Sequence, residues 1–81
     1  LNNEFFMTQA MALGKEAAAR KDPDARIAFL YEKILNRPAG YLEIKRAREF
    51  LNTFDAATKP EDALSHVAHL LLVSTEFLFL D

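Results

Sequence analysis

The sequence predicts an all-α fold, a compact bundle of four helices. Three observations carry that expectation. Apolar residues recur at spacings of three and four through four segments, near residues 4–20, 23–36, 41–55 and 60–79. Strand-like alternation never persists beyond a few residues. Helix start signals fall between the segments, and only two Gly and three Pro in 81 residues leave little material for loops. The connections are short, so neighbouring helices pack antiparallel or at wide angles.

Each segment has its own signature. In the first, Asn3 stands as N-cap and Glu4 puts a carboxylate in the first turn, where the helix dipole favours it. Phe6, Ala10, Leu13 and Ala17 share one face, which Met7 and Met11 widen. Gly14 costs about 1 kcal/mol against Ala in a helix interior, unless it admits a close neighbour. The second helix has the clearest start: Asp22 as cap, Pro23 at the first helical position, Asp24 behind it. Ile27, Leu30, Tyr31, Ile34 and Leu35 form its buried stripe, and Pro38 ends it near Asn36 and Arg37.

The third helix takes Gly40 as cap and Glu43 at the third helical position. Ile44, Ala47, Phe50, Leu51 and Phe54 face inward; Lys45, Arg46, Arg48 and Glu49 face out. The fourth opens on a capping box, Thr58 and Glu61, with Pro60 in its first turn. Leu64, Val67, Ala68, Leu71 and Thr75 point inward. Leu70, Leu72, Phe77 and Phe79 add apolar surface on other sides, more than one inward face can hold.

Composition bounds the function. The chain fits one helical domain, residues 1–81. Ten Lys and Arg against twelve Asp and Glu give a formal net charge of −2, which argues against a nucleic-acid partner. No Cys is present, which excludes disulfides, thiolate zinc sites, a Cys nucleophile and c-type haem attachment in this stretch. No apolar run exceeds five residues, Leu70–Val73 among them, far short of the 20 or so of a membrane span. No cofactor is expected.

Candidate chemistry is sparse, and each feature has a plainer reading. His66 and His69 lie three apart on one helix with Asp62, Ser65 and Glu76 on the same face. Two imidazoles and a carboxylate can hold zinc or iron, but no His-Glu-x-x-His spacing is present; the plainer reading is a solvated polar stripe. Ser65 and His69 lack the strained elbow and oxyanion hole of a nucleophile. Lys45, Arg46 and Arg48, with Arg37 and Lys33 nearby, make a basic cluster, but Glu43 and Glu49 interleave it and suit helix-surface pairs. Asp22 and Asp24 are explained by capping. No catalytic residue is assigned, and the chain is not expected to be an enzyme. Seven Phe remain. They suit a core, or a docking face built around Phe77, Phe79 and Leu72.

The chain opens without Met and ends on an apolar run, which suggests a C-terminal fragment of a larger protein. A bundle this small is also marginal in its own core, so the first or fourth helix is expected to lean on another domain.

Asp22-Pro23-Asp24-Ala25-Arg26-Ile27, then Tyr31–Leu35, then Arg37-Pro38 resembles an Asp-Pro-x-x-Arg-Ile … Leu-Gly-Arg-Pro pattern. That pattern lies near the C-terminus of a planctomycete-type domain of unknown function. The family closes large bacterial proteins that often carry a planctomycete cytochrome-c-like domain upstream. The ending Leu70–Asp81 is similar to its closing Leu-Leu-Asn-Ser/Thr-x-Glu-Phe-Leu-x-x-Asp, and Leu1–Phe6 to its Leu-Asn-x-x-Phe start. Asn36 stands where Gly is usual, Ala39-Gly40-Tyr41 where Pro-Thr-Pro is usual, and Val73 where Asn is usual. The resemblance implies export to the periplasm or cell surface, with any haem elsewhere in the parent. It implies no catalytic residues here. The leading expectation is a non-catalytic helical module that packs against the upstream part of its parent or another protein. The rival is a structural part of an enzyme or electron-transfer protein, such as one acting on polysaccharide, whose active site lies upstream.

Overall fold

Most of the helix boundaries fall where a specific group satisfies the backbone. The computed structural model describes residues 3–78, with side chains as far as Thr75. It holds α1 (Asn3–Ala18), α2 (Pro23–Leu35), α3 (Tyr41–Leu51) and α4 (Pro60–Leu78). No strand occurs among the described residues. The all-α reading therefore holds, with four helices in the expected order.

The α2 boundaries follow the sequence signals. Asp22 is extended, and its carboxylate accepts the Ala25 N–H at 2.9 Å, with Pro23 at the first helical position. At the other end Asn36 adopts the left-handed conformation, φ 57°, and its N–H donates to Glu32 O at 3.0 Å. This is the position where the resembled pattern carries Gly. A left-handed residue favours Gly and tolerates Asn, so the departure preserves the turn.

Two helices end earlier than the sequence suggests. α1 stops at Ala18, not near Arg20. The Ala19 N–H is shared between Lys15 O and Glu16 O at 3.2 and 3.3 Å, and the Arg20 N–H turns to Ala17 O at 3.1 Å, tightening the last turn. The Arg26 guanidinium then donates to Arg20 O at 2.6 Å and Ala18 O at 3.2 Å, occupying carbonyls a longer helix would use. α3 stops at Leu51, not near Asp55. Thr53 donates both its N–H and its hydroxyl to Phe50 O, at 3.0 and 2.7 Å, and the Phe54 N–H closes a tight turn on Leu51 O. Phe54 thus lies in the turn, its ring 5.3 Å from that of Phe50 and 5.2 Å from that of His66.

The α4 start differs in one detail. Pro60 is the first helical residue, and the Lys59 carbonyl accepts from Asp62 and Ala63 at 3.0 and 3.1 Å. Lys59 therefore holds the cap position, and Thr58 stands one residue too early for a capping box. The Thr58 N–H instead donates to Asp55 O at 2.9 Å, within the preceding turn.

The two ends of the chain form the main contact. α1 and α4 lie antiparallel: Gly14 abuts Glu61 and Ser65, and Ala18 shares a surface with Lys59–Glu61. α2 packs on both, and α3 packs mainly on α2. Ala10, Ala17, Leu30, Leu64, Val67 and Ala68 form one buried cluster. Ile27 is also fully buried. Leu13, Ile34, Leu51 and Leu71 are half-buried against it, as the stripes predict.

The methionines behave otherwise. Met7 and Met11 are 43% and 56% exposed. α1 buries small residues, Ala10, Gly14 and Ala17, and meets α4 so closely that the flanking side chains cannot turn inward. They do not widen the core face.

Two ion pairs hold the α2–α3 corner. Arg48 grips Asp24 of the first α2 turn at 2.6 Å. Arg37 grips Glu43 with two nitrogens at 2.8 and 2.7 Å, while Glu43 also accepts the Gly40 N–H at 2.8 Å. Because Gly40 has no side chain to cap with, the Glu43 carboxylate supplies the cap from within the helix.

Candidate interaction surface

The polar residues that looked chemical are occupied in building the fold. Asp22 caps α2, Asp24 binds Arg48, and Arg26 caps α1. Arg20 lies over the Phe29 ring at 3.6 Å, and Arg37 is held by Glu43 and lies 5.7 Å from the Tyr31 ring centre. The basic cluster is therefore interrupted: its Arg37 and Arg48 members are neutralised by carboxylates. Hydrogen bonding from Arg37, then from the Gly40 N–H, lowers the Glu43 carboxyl from 4.5 to about 2. Burial, then the nearby Glu43 charge, raises the Tyr31 phenol above its usual value.

The α4 histidine face is not one solvated stripe. Ser65 turns into the α1 seam and donates to Glu61 O at 2.7 Å, a bond within its own helix. His66 is exposed and lies against Phe54. His69 is half-buried, and its Nε2 has no hydrogen-bond partner among the described residues. The small-residue seam separates these side chains by drawing Ser65 inward. Among the described residues, no three His, Asp or Glu side chains come close enough to share a metal ion.

A cleft of about 330 Å³ opens between the α2 start, the α3 end and the α4 start. Its floor is apolar, with Ile27, Leu51, Ala63 and Leu64; Arg26, Asn52 and Asp55 stand at its edge.

The apolar docking residues expected from the sequence fall at the C-terminal end of α4. Leu72 is half-buried and packs against the core cluster. Phe77 lies on α4, with its side chain outside the described part, and Phe79 lies outside the described residues. Elsewhere, large apolar side chains stand in solvent: Met7 and Met11 on α1, Tyr41 and Leu42 on α3, and Leu70 on α4. Sequence reasoning counted Leu70 as outward and left Tyr41 and Leu42 unremarked.

No helix among the described residues is long and apolar enough to cross a membrane. Comparison with protein-family profiles, curated proteins and solved structures gives no match to this chain.

Proposed function

We propose that this chain is a non-catalytic helical module that packs against another part of a larger bacterial protein, or against a separate protein partner. One observation supports the reading. The charged side chains at its motifs are used in caps and interhelix pairs, while Met7, Met11, Leu42 and Leu70 remain exposed. A surface that spends its polar groups internally and leaves large apolar ones outside suits docking better than chemistry.

The resemblance adds the kind of parent: an exported protein of the planctomycete type, acting in the periplasm or at the cell surface, with this module at its C-terminal end. The contact then includes the α4 end around Leu72, Phe77 and Phe79. The cleft edged by Arg26, Asn52 and Asp55 favours a second reading, in which the module completes one wall of an active site whose reacting groups lie upstream.

Calorimetric titration of the 81-residue chain into the separately expressed upstream part of its parent tests the proposal. Binding at micromolar affinity or tighter, about −8 kcal/mol, is the expected result. Phe77→Asp is expected to weaken that binding more than it lowers the melting temperature of the isolated chain. Equal losses would return Phe77 to the core and remove it from the contact.

A further inference from the structure

α1 carries a second stripe beside its buried one. Glu4, Met7, Met11 and Lys15 follow at spacings of three, four and four. Those spacings place all four side chains within about 80° of the helix circumference. All four are exposed. The buried seam of Ala10, Gly14 and Ala17 faces α4; the stripe flanks it, centred about 100° further round the helix.

The order along the stripe is acid, methionine, methionine, base. Read in the opposite direction it becomes base, methionine, methionine, acid. Two antiparallel copies would therefore set Glu4 against Lys15 twice and Met7 against Met11 twice. A two-fold axis can do both only if the two midpoints nearly coincide, and they do. The Met7–Met11 midpoint and the Glu4–Lys15 midpoint differ by half a residue, about 0.75 Å along the helix axis. A parallel arrangement would set Glu4 on Glu4 and Lys15 on Lys15, and would be repelled at both ends. Met is well suited to such a seam, because its unbranched thioether adapts to an irregular opposing surface.

We propose that a second copy of this chain docks on the Glu4–Met7–Met11–Lys15 stripe, forming a symmetric dimer through antiparallel α1 helices. The interface is isologous, so each charge pair occurs twice and each single substitution acts twice. Met7 and Met11 also belong to the exposed apolar surface behind the proposed function, but the contact named there lies at the α4 end, and charge reversal at Glu4 or Lys15 reads the dimer alone.

Sedimentation velocity of the 81-residue chain over a concentration series reaching the submillimolar range is the test. Concentration-dependent dimer is expected. Glu4→Lys alone, or Lys15→Glu alone, sets like charges against each other at both ends. Each is expected to weaken the dimer about tenfold, from two exposed pairs of modest strength each. The double variant Glu4→Lys/Lys15→Glu restores opposite charges and is expected to restore the dimer. The same exchange works against the α1 dipole, so the double variant should melt no higher than the native chain. Recovery of dimer without recovery of thermal stability would therefore report the interface and not the fold. A monomer at every concentration, or a dimer indifferent to the single charge reversals, would overturn the proposal.

Discussion

Gly14→Ala is expected to destabilise the protein, although helix propensity alone predicts the reverse. Alanine in a helix interior is favoured over glycine by about 1 kcal/mol. The structure opposes that gain. A Cβ on Gly14 would stand 2.5 Å from the Glu61 carbonyl oxygen and 2.9 Å from the Ser65 nitrogen, and it would meet the Ser65 hydroxyl as well. The hydroxyl can rotate, but the two backbone atoms cannot yield without moving α4. Overfilling a packed contact of this kind costs about 1–3 kcal/mol. Because the obstruction is backbone, the upper part of that range applies, and the net loss is about 1–2 kcal/mol after the propensity gain. For a domain of this size each kcal/mol corresponds to about 4–8 °C in melting temperature. Thermal unfolding followed by far-ultraviolet circular dichroism measures it directly. Ser65→Ala in the Gly14→Ala background should recover only a minor part of the loss, since it removes the hydroxyl and leaves the backbone contact. A melting temperature for Gly14→Ala equal to or above that of the native chain would refute the close α1–α4 approach.

Three further outcomes follow from the caps and pairs. Arg26→Ala leaves the Ala18 and Arg20 carbonyls without their side-chain donor; a loss of about 1–2 kcal/mol in urea unfolding is expected, and Arg26→Lys should recover little, because a single ammonium cannot reach both carbonyls in the same fork. Asn36→Gly should leave stability equal or slightly raised, whereas Asn36→Val should lower it by about 1–2 kcal/mol, since Asn36 has φ 57° and a β-branched residue resists that region. The Glu43 carboxyl is held near 2 against an ordinary 4.5, so its pairing stabilises the fold above pH 4.5 and loses that effect as pH falls towards 2. In Glu43→Gln the urea midpoint should therefore fall less steeply over that window than in the native chain.

Much of the fold could be read from local chemistry. The Asp22-Pro23 start of α2, the Gly40 and Glu43 start of α3, and the buried stripes through Ile27, Leu30, Leu64, Val67 and Ala68 depend on neighbours within one or two helical turns. The helix ends were less legible. α1 stops at Ala18 because a guanidinium eight positions along the chain binds its carbonyls. α3 stops at Leu51 because the Thr53 and Phe54 N–H groups close a tight turn on Phe50 O and Leu51 O. The candidate chemistry on α4 was misread as one face for a related reason. Helical spacing puts Ser65 and His69 together, and both are half-buried, but the close partner across the seam sets Ser65 against Gly14.

The sequence by itself determined the helix count, order and starting points, and the lack of any cysteine-based site, because these rest on residue type and local spacing. Only the tertiary structure decided which apolar side chains are core and which are surface. Met7 and Met11 have the right spacing for burial, yet they stand exposed. Gly14 brings the α1 backbone against α4, and along that seam there is room for alanine at positions 10 and 17 and for glycine alone at 14, but not for methionine. Helix periodicity gives a direction around the axis. The distance to the neighbouring helix, set by the smallest residues at the contact, determines how wide the buried face can be.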